Sequence, residues 1–234
     1  MKSITKLTSV ALLAMGTASL ASAQTFLIDF GDGNGTTTGN WNNSNVAGFT
    51  VTDMVDTTGS STAGYDLFFT SSVGAGAGFG VGAPAPFDVA SAYTDALFTS
   101  GTTISFKFSG LDNTKTYNLD FFGSRTTATD RFTDYTVSQT VATTNATDGT
   151  TVSLQTSGDE IGGTGVDANI ANIATVAGFT PTAGGEIFID IDVGSGGFAY
   201  LNAMQLTVVP EPSSYALLAG LTALAAIAIR RRRD

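Results

Sequence analysis

The chain contains no histidine and no cysteine, so any chemistry rests on carboxylates, amides, hydroxyls, arginines and aromatic rings. A Ser-His-Asp triad is impossible, and zinc and thiol chemistry lose their usual ligands. Asp190 and Asp192 are two residues apart in a strand-like run, a spacing that places both on one strand face. Paired carboxylates are what a glycoside hydrolase uses; isolated acids on a solvent face are the plainer reading. Asp29, Asp32 and Asn34, within Asp-Phe-Gly-Asp-Gly-Asn-Gly, offer oxygen ligands of the kind calcium takes. The loop lacks the calcium-hand pattern, since Thr36 stands fifth from Asp32 and no glutamate stands twelfth. A turn held by Asx hydrogen bonds accounts for the same residues.

Two further positions suit ligand binding. Trp41, the single tryptophan, is followed by Asn42 and Asn43; an indole can stack on the apolar face of a sugar while amides bond its hydroxyls. The alternative is a tryptophan that closes the edge of the fold. Arg125 can clamp a uronic acid or other carboxylate in bidentate fashion, or it can pair with Asp130 or Asp134. Arg131 has the same two options.

The elements that must position these residues are strands. Ile104, Phe106 and Phe108 alternate with Ser105 and Lys107, and Ile187, Ile189, Ile191 and Val193 oppose Glu186, Asp190 and Asp192. Tyr117 to Phe122 alternates likewise, and Tyr200, Met204, Leu206 and Val208 share one face. A period of two marks half-buried antiparallel strands. Clusters of Gly, Asn and Asp separate the runs, at 31–39, 110–114, 148–149 and 194–197. A short helical turn is expected only near Ala90 to Leu97. The pattern predicts one all-β domain, a single antiparallel β-sandwich of jelly-roll type. The Gly-rich run from Gly74 to Gly82, followed by Pro84 and Pro86, has no βαβ setting for a phosphate loop and reads as a flexible surface loop.

Between Gln24 and Val209 the cations are Lys107, Lys115, Arg125 and Arg131, against eighteen acids, a net charge of −14. Nucleic-acid binding, which needs clustered Lys and Arg, is excluded on this count. Acidity with abundant Thr, Ser, Asn and Gly suits a solvated extracellular surface.

The two ends carry targeting signals. Lys2 and Lys6, the apolar run Val10 to Leu20 and Ala21-Ser22-Ala23 follow the order of a secretory signal peptide, residues 1–23, with cleavage before Gln24. At the other end, residues 213–229 are apolar all round and would span roughly 25 Å as a helix, just short of a hydrocarbon core of about 30 Å. Arg230, Arg231, Arg232 and Arg233 follow; they can snorkel to the interface and hold that end on the cytoplasmic side. The expected divisions are therefore a signal peptide at 1–23, a sandwich domain at 24–208 and a tail at 209–234.

Val209-Pro210-Glu211-Pro212-Ser213-Ser214, the apolar run and the arginine block together resemble the PEP-CTERM sorting signal of Gram-negative bacteria. The resemblance implies that Pro210, Glu211 and Pro212 are the recognition element, and that an exosortase, a membrane cysteine protease-transpeptidase, processes the tail after signal peptidase has removed residues 1–23. The prolines favour an extended, helix-free backbone at the membrane face. A second likeness, carried by Phe26–Gly31, Trp41-Asn42, Tyr117–Arg125 and Tyr200–Leu206, is to the galactose-binding-like jelly rolls used as carbohydrate-binding modules. It implies that the first and last strands are neighbours, so that Asp29 and Asn202 lie close together.

The expectation is an exported, non-enzymatic surface or matrix protein, crossing the inner membrane, anchored transiently by its C-terminal helix, and contacting extracellular polysaccharide. No cofactor is required, with calcium the one metal the residues would suit. The rival readings are an acidic matrix protein without a specific ligand and a carboxylate-dependent glycoside hydrolase.

Overall fold

The computed structural model describes residues 23–31, 36–45, 50–71, 74–140 and 149–210. The signal segment, Asp32, Asn34, Glu211, Pro212, the 213–229 run and Arg230 to Arg233 lie outside them. Among the described residues no helix is long and apolar enough to cross a membrane.

Gln24–Val209 forms one compact unit built on two packed sheets. The first contains β1 (Thr25–Gly31), β2 (Trp41–Asn45), β8 (Thr116–Phe122), β11 (Ala174–Phe179) and β14 (Ala203–Val209), in the order β11-β8-β14-β1-β2. The second is ordered β10-β9-β12-β7-β4-β3, from β3 (Thr50–Val51), β4 (Asp66–Phe69), β7 (Ile104–Ser109), β9 (Arg131–Ser138), β10 (Thr150–Ser157) and β12 (Ile187–Ser195). Between them the alternating side chains meet in one core. Phe26, Ile28 and Phe30 of β1, Leu119 and Phe121 of β8 and Met204 and Leu206 of β14 face Leu67, Phe106, Phe108, Tyr135, Val137, Ile189 and Ile191. Rings cross the interface directly: Phe30 and Phe106 lie 5.5 Å apart, and Phe121 stacks on Tyr135 at 4.7 Å. Each large apolar side chain so buried contributes roughly 1.5–3 kcal/mol, which lets a chain without cysteine hold a sandwich.

The first and last strands are neighbours. β1 runs antiparallel to β14, with Asp29 opposite Ala203, and the Phe30 N–H donates to the Asn202 carbonyl at 2.9 Å.

Four expectations need correction. The sandwich is not purely antiparallel: β2 pairs with β1 in parallel register, Leu27 opposite Trp41. A third, three-stranded sheet is present, β13-β6-β5, made of β5 (Gly74–Ala77), β6 (Asp95–Thr99) and β13 (Ala199–Leu201). Gly74–Ala77 is thus a paired strand instead of a loose loop. Glycine is used there for close approach: a Cβ on Gly76 would stand 3.1 Å from the Phe79 ring, and one on Gly80 would stand 2.4 Å from the Tyr93 carbonyl. The helical turn expected near Ala90 to Leu97 is present as α1 (Ala90–Thr94), which gives way directly to β6. Tyr200 does not share the face of Met204, Leu206 and Val208. The chain changes sheets at Asn202, so Tyr200 joins a small cluster with Phe79 and Ala96 while the other three enter the main core.

Candidate functional site

The outer face of the first sheet is not bare. Phe87, Ala92, Phe122 and Ala203 form a second buried cluster there, with Leu27, Trp41, Ala83, Tyr93 and Ile173 packed around it. Trp41 is half-buried on this edge strand and helps to close the cluster. Asn42 is buried, and its amide serves the backbone: both protons are donated, to the Leu27 carbonyl at 3.0 Å and the Val55 carbonyl at 2.8 Å, and its oxygen accepts from the Val55 N–H. It therefore ties β2 to its neighbours and has no free proton for a sugar hydroxyl.

Asp29 projects from the outer face of β1 and is only 3% exposed. One carboxylate oxygen accepts the Thr37 N–H at 3.0 Å; that N–H is shared with the Asn43 side chain at 2.7 Å, and the Thr37 hydroxyl bonds to Ser91. The other oxygen, Oδ1, is buried with no hydrogen-bond partner among the described residues. Burial pushes the Asp29 pKa up to about 6, against the lowering pull of its Thr37 hydrogen bonds. Asp95 comes close to the same strand end: a Cβ on Gly31 would collide with its carboxylate at 1.7 Å. Oδ1 supplies a single oxygen, where calcium takes roughly six to eight. Asp32 and Asn34, the other ligands expected, lie outside the described residues, and among those described no group of three acids is arranged to hold a metal.

The Asp190 and Asp192 pair sits on the outer face of the second sheet. Asp190 is 6% exposed, not solvated as an isolated surface acid would be, and it accepts the Ser105 hydroxyl at 2.6 Å. Burial raises its pKa, the charge of Asp192 adds to the rise and the Ser105 hydrogen bond opposes it. Asp192 stands directly opposite Asp134 on β9 and accepts the Thr103 hydroxyl.

Arg125 and Arg131 meet a surface that pattern reading did not assemble. The Arg125 guanidinium lies 4.7 Å from the Phe79 ring centroid, and that of Arg131 lies 4.6 Å from Phe198 and 5.7 Å from Tyr200. Phe79 packs on Tyr200 at 5.6 Å and on Phe98 at 5.7 Å. Arg131 also donates to the Tyr200 hydroxyl. Burial raises the Tyr200 pKa, while Arg131 and Arg125 pull it back. Neither arginine pairs with Asp130 or Asp134 among the described residues; Asp130 instead accepts from Gln155 at 3.1 Å. The signal available in the sequence was scarcity: two of the domain's four cations fall within seven residues of one another.

Residues 208–233 match the PEP-CTERM protein-sorting motif, which includes Pro210, Glu211, Pro212 and Arg230 to Arg233. The chain thus carries a PEP-CTERM sorting motif whose match begins within β14, the last strand among the described residues. No curated protein sequence matches it. Among solved structures, it is similar to the carbohydrate-binding module TmCBM61 in complex with β-1,4-galactotriose, at 13% identity and a TM-score of 0.30, over 62% of this chain and 87% of the module. It is also similar to the CBM22-1 xylan-binding domain of Paenibacillus barcinonensis Xyn10C, at 12% identity and a TM-score of 0.32, over 62% and 86%. A third likeness is to the enzymatically active domain of bacteriophage CBA120 tailspike protein 4, at 16% identity and a TM-score of 0.33, over 59% of this chain and 18% of that one. Likenesses at this level do not assign a ligand.

Proposed function

We propose that this chain is an exported, non-enzymatic protein of the cell surface or extracellular matrix of a Gram-negative bacterium, whose β-sandwich, of jelly-roll type, contacts extracellular polysaccharide. Residues 1–23 act as a signal peptide for signal peptidase, 24–208 as the binding domain and 209–234 as the tail an exosortase processes. The observation that carries this reading is the junction at Val209. The final core strand, β14, ends there, and the sorting motif already begins at residue 208. The domain is therefore joined to its sorting signal almost without a linker.

Processing is tested by intact mass. In cells with an exosortase the mature protein is expected to start at Gln24 and to lack Arg230 to Arg233. An envelope-bound product that retains all four arginines would reduce the tail to a plain membrane anchor. Binding is tested on a glycan array, where saturable binding to no polysaccharide, with or without calcium, would leave only the ligand-free matrix role.

The hydrolase reading has one specific observation in its favour, the raised pKa of Asp190 beside Asp192. The hydrogen bonds from Ser105 and Thr103 explain both acids as fixed parts of the sheet's outer face. The protein is expected to turn over no chromogenic glycoside between pH 4 and 8. Turnover that Asp190→Asn abolishes would instead establish a hydrolase.

A further inference from the structure

We propose that Arg125 and Arg131 form a two-point site for the carboxylates of an acidic polysaccharide. This rests on the polysaccharide-binding reading above and narrows it to a ligand class.

Of the four cations in a domain with eighteen acids, Lys107 and Lys115 pair with Glu186 at 2.5 Å and Asp112 at 3.5 Å. The two arginines make no ion pair among the described residues. Each is instead held against aromatic rings, Arg125 on Phe79 and Arg131 on Phe198 and Tyr200, with Phe79 and Tyr200 themselves only 5.6 Å apart. Stacking occupies the flat face of a guanidinium and leaves its in-plane N–H donors for an acceptor. Among the described residues Arg125 spends its donors only on the Gly78 carbonyl, at 3.5 Å; Arg131 gives one terminal N–H to the Tyr200 hydroxyl and its Nε is buried, which leaves its other terminal N–H groups for an incoming carboxylate. A planar fork fixed in place with free donors is the geometry that recognises a carboxylate in bidentate fashion. The exposed edges of Phe98 and Phe198, both only partly buried, supply apolar surface for sugar rings beside those charges.

Topology places the two arginines at one end of the first sheet. β8 and β14 run antiparallel with Thr116 opposite Val209 and Phe122 opposite Ala203. Arg125 follows Phe122 and Tyr200 precedes Ala203, so the arginines gather at one end of these strands. The chain leaves for the sorting motif from the other end, about 20 Å away at some 3.3 Å per residue.

The test uses the full-length chain in detergent, with polygalacturonate, its methyl-esterified form and neutral galactan as probes. Polygalacturonate is expected to bind at least tenfold more tightly than either of the others, and tighter at 50 mM than at 500 mM salt. Arg125→Gln and Arg131→Gln should each weaken it about tenfold while leaving galactan unchanged. Arg125→Lys, which keeps the charge but loses the fork, should recover only part of the loss. Equal binding of the acidic and esterified polymers, or full affinity in the double variant, would overturn the proposal. Galactan binding alone would overturn it and leave the general polysaccharide reading standing, whereas binding to none of the three would overturn both. Unchanged near-ultraviolet circular dichroism in the variants separates lost contacts from lost fold. Self-association abolished by the same substitutions, without glycan binding, would assign the arginines to a second copy's acidic surface and so overturn the proposal.

Discussion

Asn202→Ala is expected to destabilise the domain by about 3 kcal/mol, a fall in melting temperature of roughly 10 °C for a domain of this size. Asn202 is fully buried where the chain passes from β13 to β14. Its amide nitrogen donates to the Tyr93 carbonyl at 3.0 Å and the Asp95 carbonyl at 2.7 Å, and its amide oxygen accepts the Ser124 N–H at 2.7 Å. One side chain thus joins the end of α1, the start of β6 and the loop after β8. Alanine leaves the buried Ser124 N–H without this acceptor and takes one donor from each of the Tyr93 and Asp95 carbonyls, of which Tyr93 keeps the Gly80 N–H; with an unsatisfied buried group costing roughly 1–3 kcal/mol, the three lost bonds together account for the effect. Asn202→Asp should be nearly as damaging, because it keeps the acceptor but loses both donors. Thermal unfolding of both variants measures the effect. A loss under about 1 kcal/mol would show that the three segments hold together without it.

Asp29→Asn is expected to act in the opposite direction, stabilising the chelator-treated protein by roughly 2 kcal/mol at pH 7 and flattening its pH dependence. The folded-state pKa of Asp29, about 6, lies above its ordinary value of 3.8. Between those values the folded chain binds the proton more tightly than the unfolded chain does. Stability from this group is therefore complete below about pH 3.8 and is lost as pH rises through 6. The side-chain oxygen of asparagine can still accept the Thr37 N–H, but it places no charge in the buried site. A wild-type curve flat between pH 4 and 7 would show that the carboxylate is solvated.

Much of the sandwich was legible because strand burial has a short period. Ile104, Phe106 and Phe108 face the core as their alternation requires, and so do Ile187, Ile189 and Ile191. The pattern failed where local spacing and sheet membership part company. Tyr200 and Met204 fit one alternating run, yet they lie on either side of a sheet change at Asn202, and nothing in the run itself marks that break. The glycines at 74–82 misled for a related reason. Low complexity resembles a loose loop until the facing rings of Phe79 and Phe98 show how little room a Cβ would have at Gly76 and Gly74.

For the candidate site, residue types were readable and their partners were not. Asn42 is chemically able to bind a sugar, but the Leu27 and Val55 backbones claim its amide protons. Asp190 looks like a surface acid from its alternation, but neighbouring strands bury it. Arg125 and Arg131 each had a carboxylate nearby in the chain and found aromatic rings instead.

By itself the sequence determined the C-terminal sorting motif and the all-β class of the middle. A sorting motif is a short contiguous stretch of residues and strand periodicity is a local property, so both survive without tertiary information. Only the folded chain decided which polar groups remain available. Hydrogen-bond satisfaction and burial depend on segments far apart in the chain, such as Phe79 beside Tyr200 and Asn202 beside Tyr93. The Oδ1 of Asp29, orphaned among the described residues, and the guanidinium groups of Arg125 and Arg131, which make no ion pair among them, emerge only when those segments meet.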